Sequence, residues 1–191
     1  MARFCRTLLI VSVLACAGLA QAEGHRWYLG SFTGQSLTFM GSQDPRTGNG
    51  LSLAHDFGPQ ARLRWGPLKG NLIGEAYYSI TRSPGVRSTP PNSSVAWGLL
   101  AMARYRWTET DAPTTFIDVG WGLQMASRTT RDLPARLNST PVVDLGVVMG
   151  REHERMLVAA RFIHISNGGI VNKGEKNKGQ NQLYLLVQVP F

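Results

Sequence analysis

The sequence predicts an all-β protein that forms an eight-stranded antiparallel transmembrane β-barrel. Three observations predict this fold: apolar residues alternate with small or polar ones in many segments, aromatic residues stand at strand ends, and only 17% of the 191 residues are charged. Globular domains usually carry about 25% charged residues. Beyond the first 22 residues there is no apolar run of about 18 residues, which excludes a helical membrane protein of the ordinary kind.

The first 22 residues have the pattern of a secretory signal peptide. Two arginines precede an apolar stretch at 8–19, and Ala20-Gln21-Ala22 supplies the small residues of a cleavage site. The mature barrel domain is therefore expected at residues 23–191. Both cysteines, Cys5 and Cys16, lie in the removed segment, so the mature protein is expected to have no thiol for a disulfide, a metal or a nucleophile.

Alternation with a period of two residues predicts the strands in order along the chain. The clearest apolar rows lie within 72–80, 95–107, 117–125, 143–149, 158–162 and 183–191. The opposite rows are small or polar, as in Asp118, Gly120, Gly122 and Gln124, which suits a narrow barrel interior. A soluble antiparallel sandwich is the alternative explanation of such alternation. The secretory signal, the aromatic strand ends and the terminal Phe191 after an alternating strand favour a barrel of the outer membrane.

Seven connections of alternating length separate the eight strands. The long ones are predicted at 42–50, 83–94, 127–140 and 167–180, and the short ones at 66–70, 108–113 and 151–155. Long loops of such barrels face the outside of the cell, so the end of the seventh strand should lie at the outer leaflet. Gly58-Pro59 interrupts the second strand, and because proline removes a ladder donor it predicts a bulge or an earlier turn.

The seventh strand carries a candidate catalytic pair. His164 and Ser166 share one face of this strand, whereas Arg161 lies on the other. If Arg161 points into the barrel, His164 and Ser166 face lipid, where a histidine is costly without a purpose. A base and a hydroxyl two positions apart on one face have the residue types of an activated nucleophile. The alternative is that both side chains lie at a polar rim and have no chemical role.

Four segments carry a resemblance to a known family. They are RFIHISNGGI at 161–170, NKGQN at 177–181, FIDVGWGLQMAS at 116–127 and the last strand ending in Phe191. Together they resemble the lipid A 3-O-deacylases, the PagL family of outer-membrane lipases. The resemblance implies an eight-stranded barrel with its active site on the outer wall, which hydrolyses the ester-linked 3-hydroxyacyl chain at the 3-position of lipid A.

The resemblance also implies roles for individual residues. Ser166 matches the family's nucleophile, and His164 matches the general base that takes its proton and returns it to the leaving alcohol. Asn167 and the backbone N–H of Gly169 match the oxyanion-stabilising groups. Donors aimed in advance at a tetrahedral oxyanion usually contribute the largest single share of transition-state stabilisation.

The third member of the triad departs from the family's pattern. The best-known members have a glutamate after an Asn-x-Gly-x step, and this chain has Asn181 there. Asn181 has the same parity as Leu183, so it is expected on the lipid-facing side with His164. An amide oxygen can fix the histidine tautomer but stabilises the imidazolium less than a carboxylate does. Glu175 is the alternative if its loop folds back, and the sequence favours Asn181.

The predicted protein is a serine esterase that needs no metal and no cofactor. Its partners are lipid A or lipopolysaccharide as substrate and the outer membrane; a homodimer is possible, and no basic run with interleaved aromatics indicates nucleic acid. Loop cations could hold lipid A phosphates or simply be solvated: Arg82, Arg87, Arg128, Arg131, Lys173, Lys176 and Lys178. The alternative function is a non-catalytic small barrel, either structural or adhesive, or a family member that has lost its activity.

Overall fold

The structure is a computed structural model that describes residues 26–40, 42–85, 90–107, 114–150, 156–167 and 179–191, without the side chain of residue 61. These residues form one short 3-10 turn, Thr38–Met40, and nine strands: β1 (Arg26–Ser36), β2 (Thr47–Trp65), β3 (Leu68–Ser83), β4 (Asn92–Arg106), β5 (Thr114–Ala126), β6 (Leu137–Ser139), β7 (Val142–Met149), β8 (Met156–Ile165) and β9 (Gln180–Pro190). Over these ranges no helix is long and apolar enough to cross a membrane. The predicted signal peptide and the short connections at 108–113 and 151–155 lie outside them.

Antiparallel pairing closes the strands into a barrel. Neighbours follow the order β4-β3-β2-β1-β9-β8-β7-β5-β6, and β4 also pairs with β5, which joins the two ends. The short strand β6 and strand β7 are one pass of the chain, because both pair with β5 and Thr140 N between them donates to Gly122 O. Pro141 separates them because it has no N–H. The predicted eight-stranded antiparallel barrel is therefore confirmed.

Burial alternates along the strands as the sequence pattern predicts. In β4 the side chains of Trp97 and Leu99 are 57% and 61% exposed, whereas those of Leu100 and Met102 are 4% and 2% exposed. The same alternation runs through β5, β7 and β9. The exposed apolar row of each strand forms the outer wall, and the opposite row fills the barrel interior.

Charged side chains inside the barrel are paired. Arg161 on β8 donates to Asp144 on β7 (Nη2···Oδ2 2.7 Å) and to Glu75 on β3 (Nη2···Oε2 2.9 Å). Arg104 on β4 donates to both carboxylate oxygens of Asp118 on β5, at 2.8 and 2.7 Å. All of these side chains are buried. These interior charges are thus compensated by one another, since a buried charge is tolerated only when it is paired.

Strand β2 contains the predicted irregularity. Its register with β3 shifts between Asp56 and Pro59, and again between Gln60 and Arg64, so Gly58-Pro59 forms a bulge and β2 continues beyond it. Gly58 has φ 77° and donates its N–H to Asp56 Oδ1 at 2.8 Å, which satisfies a donor that the ladder has lost.

Several connections have other bounds than the sequence predicts. The first long connection spans residues 37–46 because β2 already begins at Thr47, and the turn predicted at 66–70 is confined to 66–67 because β3 begins at Leu68. The third long connection spans 127–136 because β6 extends the barrel wall before Pro141. The connections after β1, β3, β5 and β8 are the long ones, and they define what we call the long-loop end of the barrel.

Candidate active site

Strand β8 places His164 on the outer wall near the long-loop end. Along β8 the odd-numbered side chains Arg161 and Ile163 are 3% and 4% exposed, whereas His164 on the opposite face is half-buried. Ser166, just beyond the strand, has the same parity as His164 and is also half-buried. Arg161 thus points into the barrel and His164 points outward, which is the condition under which the sequence placed His164 on the lipid-facing side.

Asn181 lies directly across from His164 on the neighbouring strand. The two residues are Cα partners in the β8–β9 ladder, so their side chains leave the same face of the sheet. Nδ1 of His164 and Oδ1 of Asn181 are 2.7 Å apart, within hydrogen-bond distance. The residue that the sequence favours as the partner of His164 is thus in contact with it.

The connection between β1 and β2 holds Asn181 through four hydrogen bonds. Asn181 Nδ2 donates to Met40 O at 2.7 Å, and Asn181 N donates to Ser42 Oγ at 2.9 Å. Asn181 O accepts from Leu37 N at 2.8 Å and from Ser42 Oγ at 3.2 Å. Sequence reasoning missed Met40 and Ser42, because nothing in a polar loop distinguishes one serine or one main-chain carbonyl from its neighbours.

The backbone of Ser166 is fixed by the barrel wall. Ser166 N donates to Ser139 O at 3.0 Å, and Ser139 Oγ donates to Ser166 O at 2.9 Å. His164 N donates to Pro141 O at 3.0 Å. His164 Nε2 and Ser166 Oγ form no hydrogen bond with each other in this structure, and in enzymes such contacts commonly tighten only with substrate bound.

Gly179 packs against the imidazole of His164. Its φ is 69°, and a Cβ built on it would lie 2.7 Å from His164 Cε1 and 3.3 Å from Nε2. Only a residue without a side chain fits both the conformation and the space. Gly179 belongs to the NKGQN segment, yet sequence reasoning gave it no role.

The remaining predicted site residues are only partly described. Asn167 follows Ser166 and is 2% exposed. Gly169, Glu175, Arg87 and the three lysines of the last long connection lie outside the described residues. Across the described ranges, no group of three or more His, Cys, Asp or Glu side chains could hold a metal ion.

The long-loop end exposes three arginines and buries two aspartates, one of which, Asp44, is ion-paired with the buried Arg46 at 2.6 Å. Arg82, Arg128 and Arg131 are exposed, whereas Asp44 and Asp132 are fully buried. Asp132 Oδ2 accepts from Asp44 N at 2.8 Å and from Gln43 N at 2.9 Å. Burial raises the pKa of the Asp132 carboxyl above its ordinary value, although these two N–H groups act in the opposite direction.

Comparisons with known proteins agree with this architecture. The family model described as Lipid A 3-O-deacylase (PagL) matches residues 18–190. The structure titled Crystal structure of the outer membrane enzyme PagL is similar at a TM-score of 0.61 and 19% identity, covering 86% of this chain and 99% of that one. The structure titled Crystal structure of Neisserial surface protein A (NspA) is similar at a TM-score of 0.57 and 13% identity, covering 90% and 98%.

At these identities the two solved structures establish the shared fold alone, and no curated protein has a significant match. The family model covers nearly the whole chain, including the strands that carry His164 and Asn181. This chain therefore belongs to the PagL family of lipid A 3-O-deacylases.

Proposed function

We propose that this protein is an outer-membrane serine esterase that removes the ester-linked 3-hydroxyacyl chain at the 3-position of lipid A. The observation that carries the proposal is the hydrogen-bonded pair of His164 and Asn181 on the outer wall, next to Ser166, in a chain of the PagL family. A site on the outer wall meets acyl chains directly in the membrane. The substrate then reaches Ser166 by lateral diffusion and does not enter the filled interior of the barrel.

Ser166 is the proposed nucleophile and His164 its general base. Ser166 Oγ attacks the ester carbonyl while His164 Nε2 takes the hydroxyl proton, and the imidazolium then protonates the 3-alkoxide of lipid A as it leaves. Water, deprotonated by the same nitrogen, hydrolyses the acyl-enzyme and releases the fatty acid. The side-chain amide of Asn167 and the N–H of Gly169 are the proposed donors to the tetrahedral oxyanion.

Asn181 is the proposed third member, which orients His164 through Nδ1. Its support is the 2.7 Å contact and the four hydrogen bonds that hold Asn181 in place. Glu175, the alternative, would have to reach His164 from the last long connection. With the Asn181 oxygen already at hydrogen-bond distance from Nδ1, the geometry favours Asn181.

Exposed arginines at the long-loop end supply a proposed contact for the phosphates of lipid A. Arg82, Arg128 and Arg131 are exposed at this end, and the acids described there, Asp44 and Asp132, are buried. An anionic headgroup would therefore meet exposed guanidinium groups, which favour charge-assisted hydrogen bonds to phosphate oxygens.

A non-catalytic barrel is the second candidate function. Both the outer membrane enzyme PagL and Neisserial surface protein A have a similar fold, so the barrel alone does not assign an activity. The specific feature behind this candidate is the absence of the family's acidic residue at position 181.

Mass spectrometry of lipid A from cells that express the protein tests the proposal. We expect the loss of one 3-hydroxyacyl chain with the wild type and an unchanged pattern with Ser166→Ala. Ser31→Ala changes a half-buried serine on β1, away from the site, and should behave as the wild type. Comparable amounts of each variant in the outer membrane, with heat-modifiable migration on gels, are required. An unchanged pattern with the wild type would favour the non-catalytic barrel.

The same assay separates the two candidates for the third member. We expect Asn181→Ala to lower the deacylation rate by about tenfold or more, because His164 loses the group that orients it. Glu175→Ala should leave the rate near that of the wild type. The reverse result would assign the role to Glu175.

A further inference from the structure

The amide of Asn181 lies between two groups, and one of them has a fixed hydrogen-bond role. The main-chain carbonyl of Met40 can only accept, and it lies 2.7 Å from one terminal atom of the amide. That atom must therefore be the donor, Nδ2. The other terminal atom, which faces His164, is then the carbonyl oxygen Oδ1.

This orientation determines which nitrogen of His164 carries the proton. Oδ1 of Asn181 can only accept, so His164 Nδ1 must donate across the 2.7 Å contact. In a neutral imidazole with Nδ1 protonated, Nε2 carries the lone pair. Nε2 is the nitrogen that must accept the proton of Ser166. The Met40 carbonyl thus sets the tautomer of His164 by fixing the orientation of the Asn181 amide.

The Met40 carbonyl is itself held by a compact set of contacts. Met40 N donates to Leu37 O at 3.1 Å, and Leu37 N donates to Asn181 O at 2.8 Å. Ser42, which is 3% exposed, bonds both the N–H and the carbonyl of Asn181 through its hydroxyl. The connection between β1 and β2 therefore encloses Asn181 on its backbone and on its side chain.

We propose that this connection is a positioning element in which Ser42 and the Met40 carbonyl select an amide at position 181 and set the tautomer of His164. The inference rests on the proposed role of His164 as the base. A carboxylate at position 181 has no donor, so one of its oxygens would face the Met40 carbonyl oxygen at close range. The asparagine in place of the family's glutamate is, by this argument, matched to the loop and is not the mark of a lost activity.

Three variants test this positioning element against the ordinary expectation for a catalytic triad. Asn181→Asp supplies the carboxylate that usually serves a histidine base better than an amide. If the loop selects an amide, Asn181→Asp instead lowers the deacylation rate by about tenfold or more, mainly in kcat, because His164 is misplaced. Ser42→Ala should lower it similarly, and Ser42→Thr, which keeps the hydroxyl, should recover most of the rate.

A spectroscopic measurement separates positioning from a loss of structure. In protein labelled with ¹⁵N-histidine in detergent micelles, His164 is assigned by comparison with His164→Gln. At a pH where the ring is neutral, we expect a protonated Nδ1 and an unprotonated Nε2 in the wild type. Ser42→Ala removes both hydrogen bonds that hold the main chain of Asn181 against this connection. Its amide is then no longer fixed against the Met40 carbonyl, so the ring should shift toward the Nε2-protonated form, whereas Ser42→Thr should keep the wild-type signals.

Asn49→Asp is the matched control for the charge change. Asn49 is exposed on β2, and its Oδ1 accepts from Thr33 Oγ1 at 2.8 Å, a contact that a carboxylate also satisfies. This variant should keep both the rate and the wild-type signals of His164.

Two outcomes would overturn the inference: an Nε2-protonated ring in the wild type, or an Asn181→Asp variant at least as active as the wild type. If the wild type leaves lipid A unchanged, the proposed function fails. The signals of His164 in the wild type and in Ser42→Ala then still decide whether the loop sets the tautomer.

Discussion

Two glycines with similar backbone angles have different tasks. Gly66, in the turn between β2 and β3, has φ 58° and no atom within 4 Å of a built Cβ, whereas Gly179 has φ 69° and would meet His164 Cε1 at 2.7 Å. An L-residue in the left-handed region costs about 1–2 kcal/mol at either position. Only at Gly179 would an added side chain also meet the imidazole. A comparison of alanine variants at the two positions therefore separates the effect of backbone strain from that of displacing His164.

We expect Gly179→Ala to lower the deacylation rate by about tenfold or more and Gly66→Ala to leave it near the wild-type value. The reason is that a displacement of about 1 Å at a reacting group can cost about a hundredfold in rate. Rates are measured on purified protein with lipid A, and urea unfolding in lipid vesicles checks that both variants lose comparable stability. Equal rates for the two variants would show that Gly179 does not position His164.

At the scale of elements, the two connections near the site are tied together by Asp132. This residue belongs to the connection between β5 and β6, and its carboxylate accepts from two N–H groups of the connection between β1 and β2. One of these donors, Gln43, follows Ser42, which bonds Asn181. The loop that frames Asn181 is thus anchored on a second loop across the barrel mouth.

The raised pKa of Asp132 gives this anchor a pH dependence. The pKa of Asp132 is higher in the folded than in the unfolded protein. Its contribution to the free energy of unfolding is therefore most favourable below the ordinary Asp pKa of about 3.9, and it declines as the pH rises through the folded-state pKa. Asp132→Asn keeps an acceptor for both N–H groups and carries no charge. We therefore expect Asp132→Asn to match the wild type near pH 3.5 and to exceed it in urea unfolding near pH 8, with the difference opening between these limits.

Asp132→Ala is the companion to this measurement. It loses both hydrogen bonds and should be less stable than Asp132→Asn at every pH, by about 1–3 kcal/mol. A wild type more stable than Asp132→Asn at pH 8 would contradict the direction of the pKa shift.

The sequence predicted the strands well where apolar and polar residues alternate with a period of two. Alternation along β4, β5 and β9 identifies the outer wall. It also places His164 and Asn181 on the same face of the sheet, where the β8–β9 ladder pairs them. The contact of Ser42 with Asn181 could not be predicted, because the two residues are 139 positions apart and only barrel closure brings β1 beside β9. The short strand β6 was missed because residues 127–140 were all assigned to a long connection. In the structure β6 continues the register of β7 on the other side of Pro141.

At the scale of the whole molecule, the small charged fraction reflects where charge is allowed. The outer wall presents apolar side chains to lipid, and the interior admits charge only as compensated groups. Arg161 connects β8 to β7 through Asp144 and to β3 through Glu75, while Gln188 on β9 donates to Glu75 Oε2 at 3.1 Å. One cluster of polar side chains thus links four strands across the barrel interior, and two of them, β8 and β9, carry the candidate site.

We expect Arg161→Met to destabilise the barrel by about 3–5 kcal/mol, because it leaves two buried carboxylates without their cation. Arg104→Met removes the cation from one buried carboxylate, Asp118, and should cost less. Replacing the whole cluster, with Glu75→Gln and Asp144→Asn added to Arg161→Met, should recover most of the loss, since no unpaired charge remains. Urea unfolding in lipid vesicles, followed by tryptophan fluorescence, measures all three. A triple variant no more stable than Arg161→Met would show that the cluster acts through its hydrogen-bond geometry and not through charge compensation.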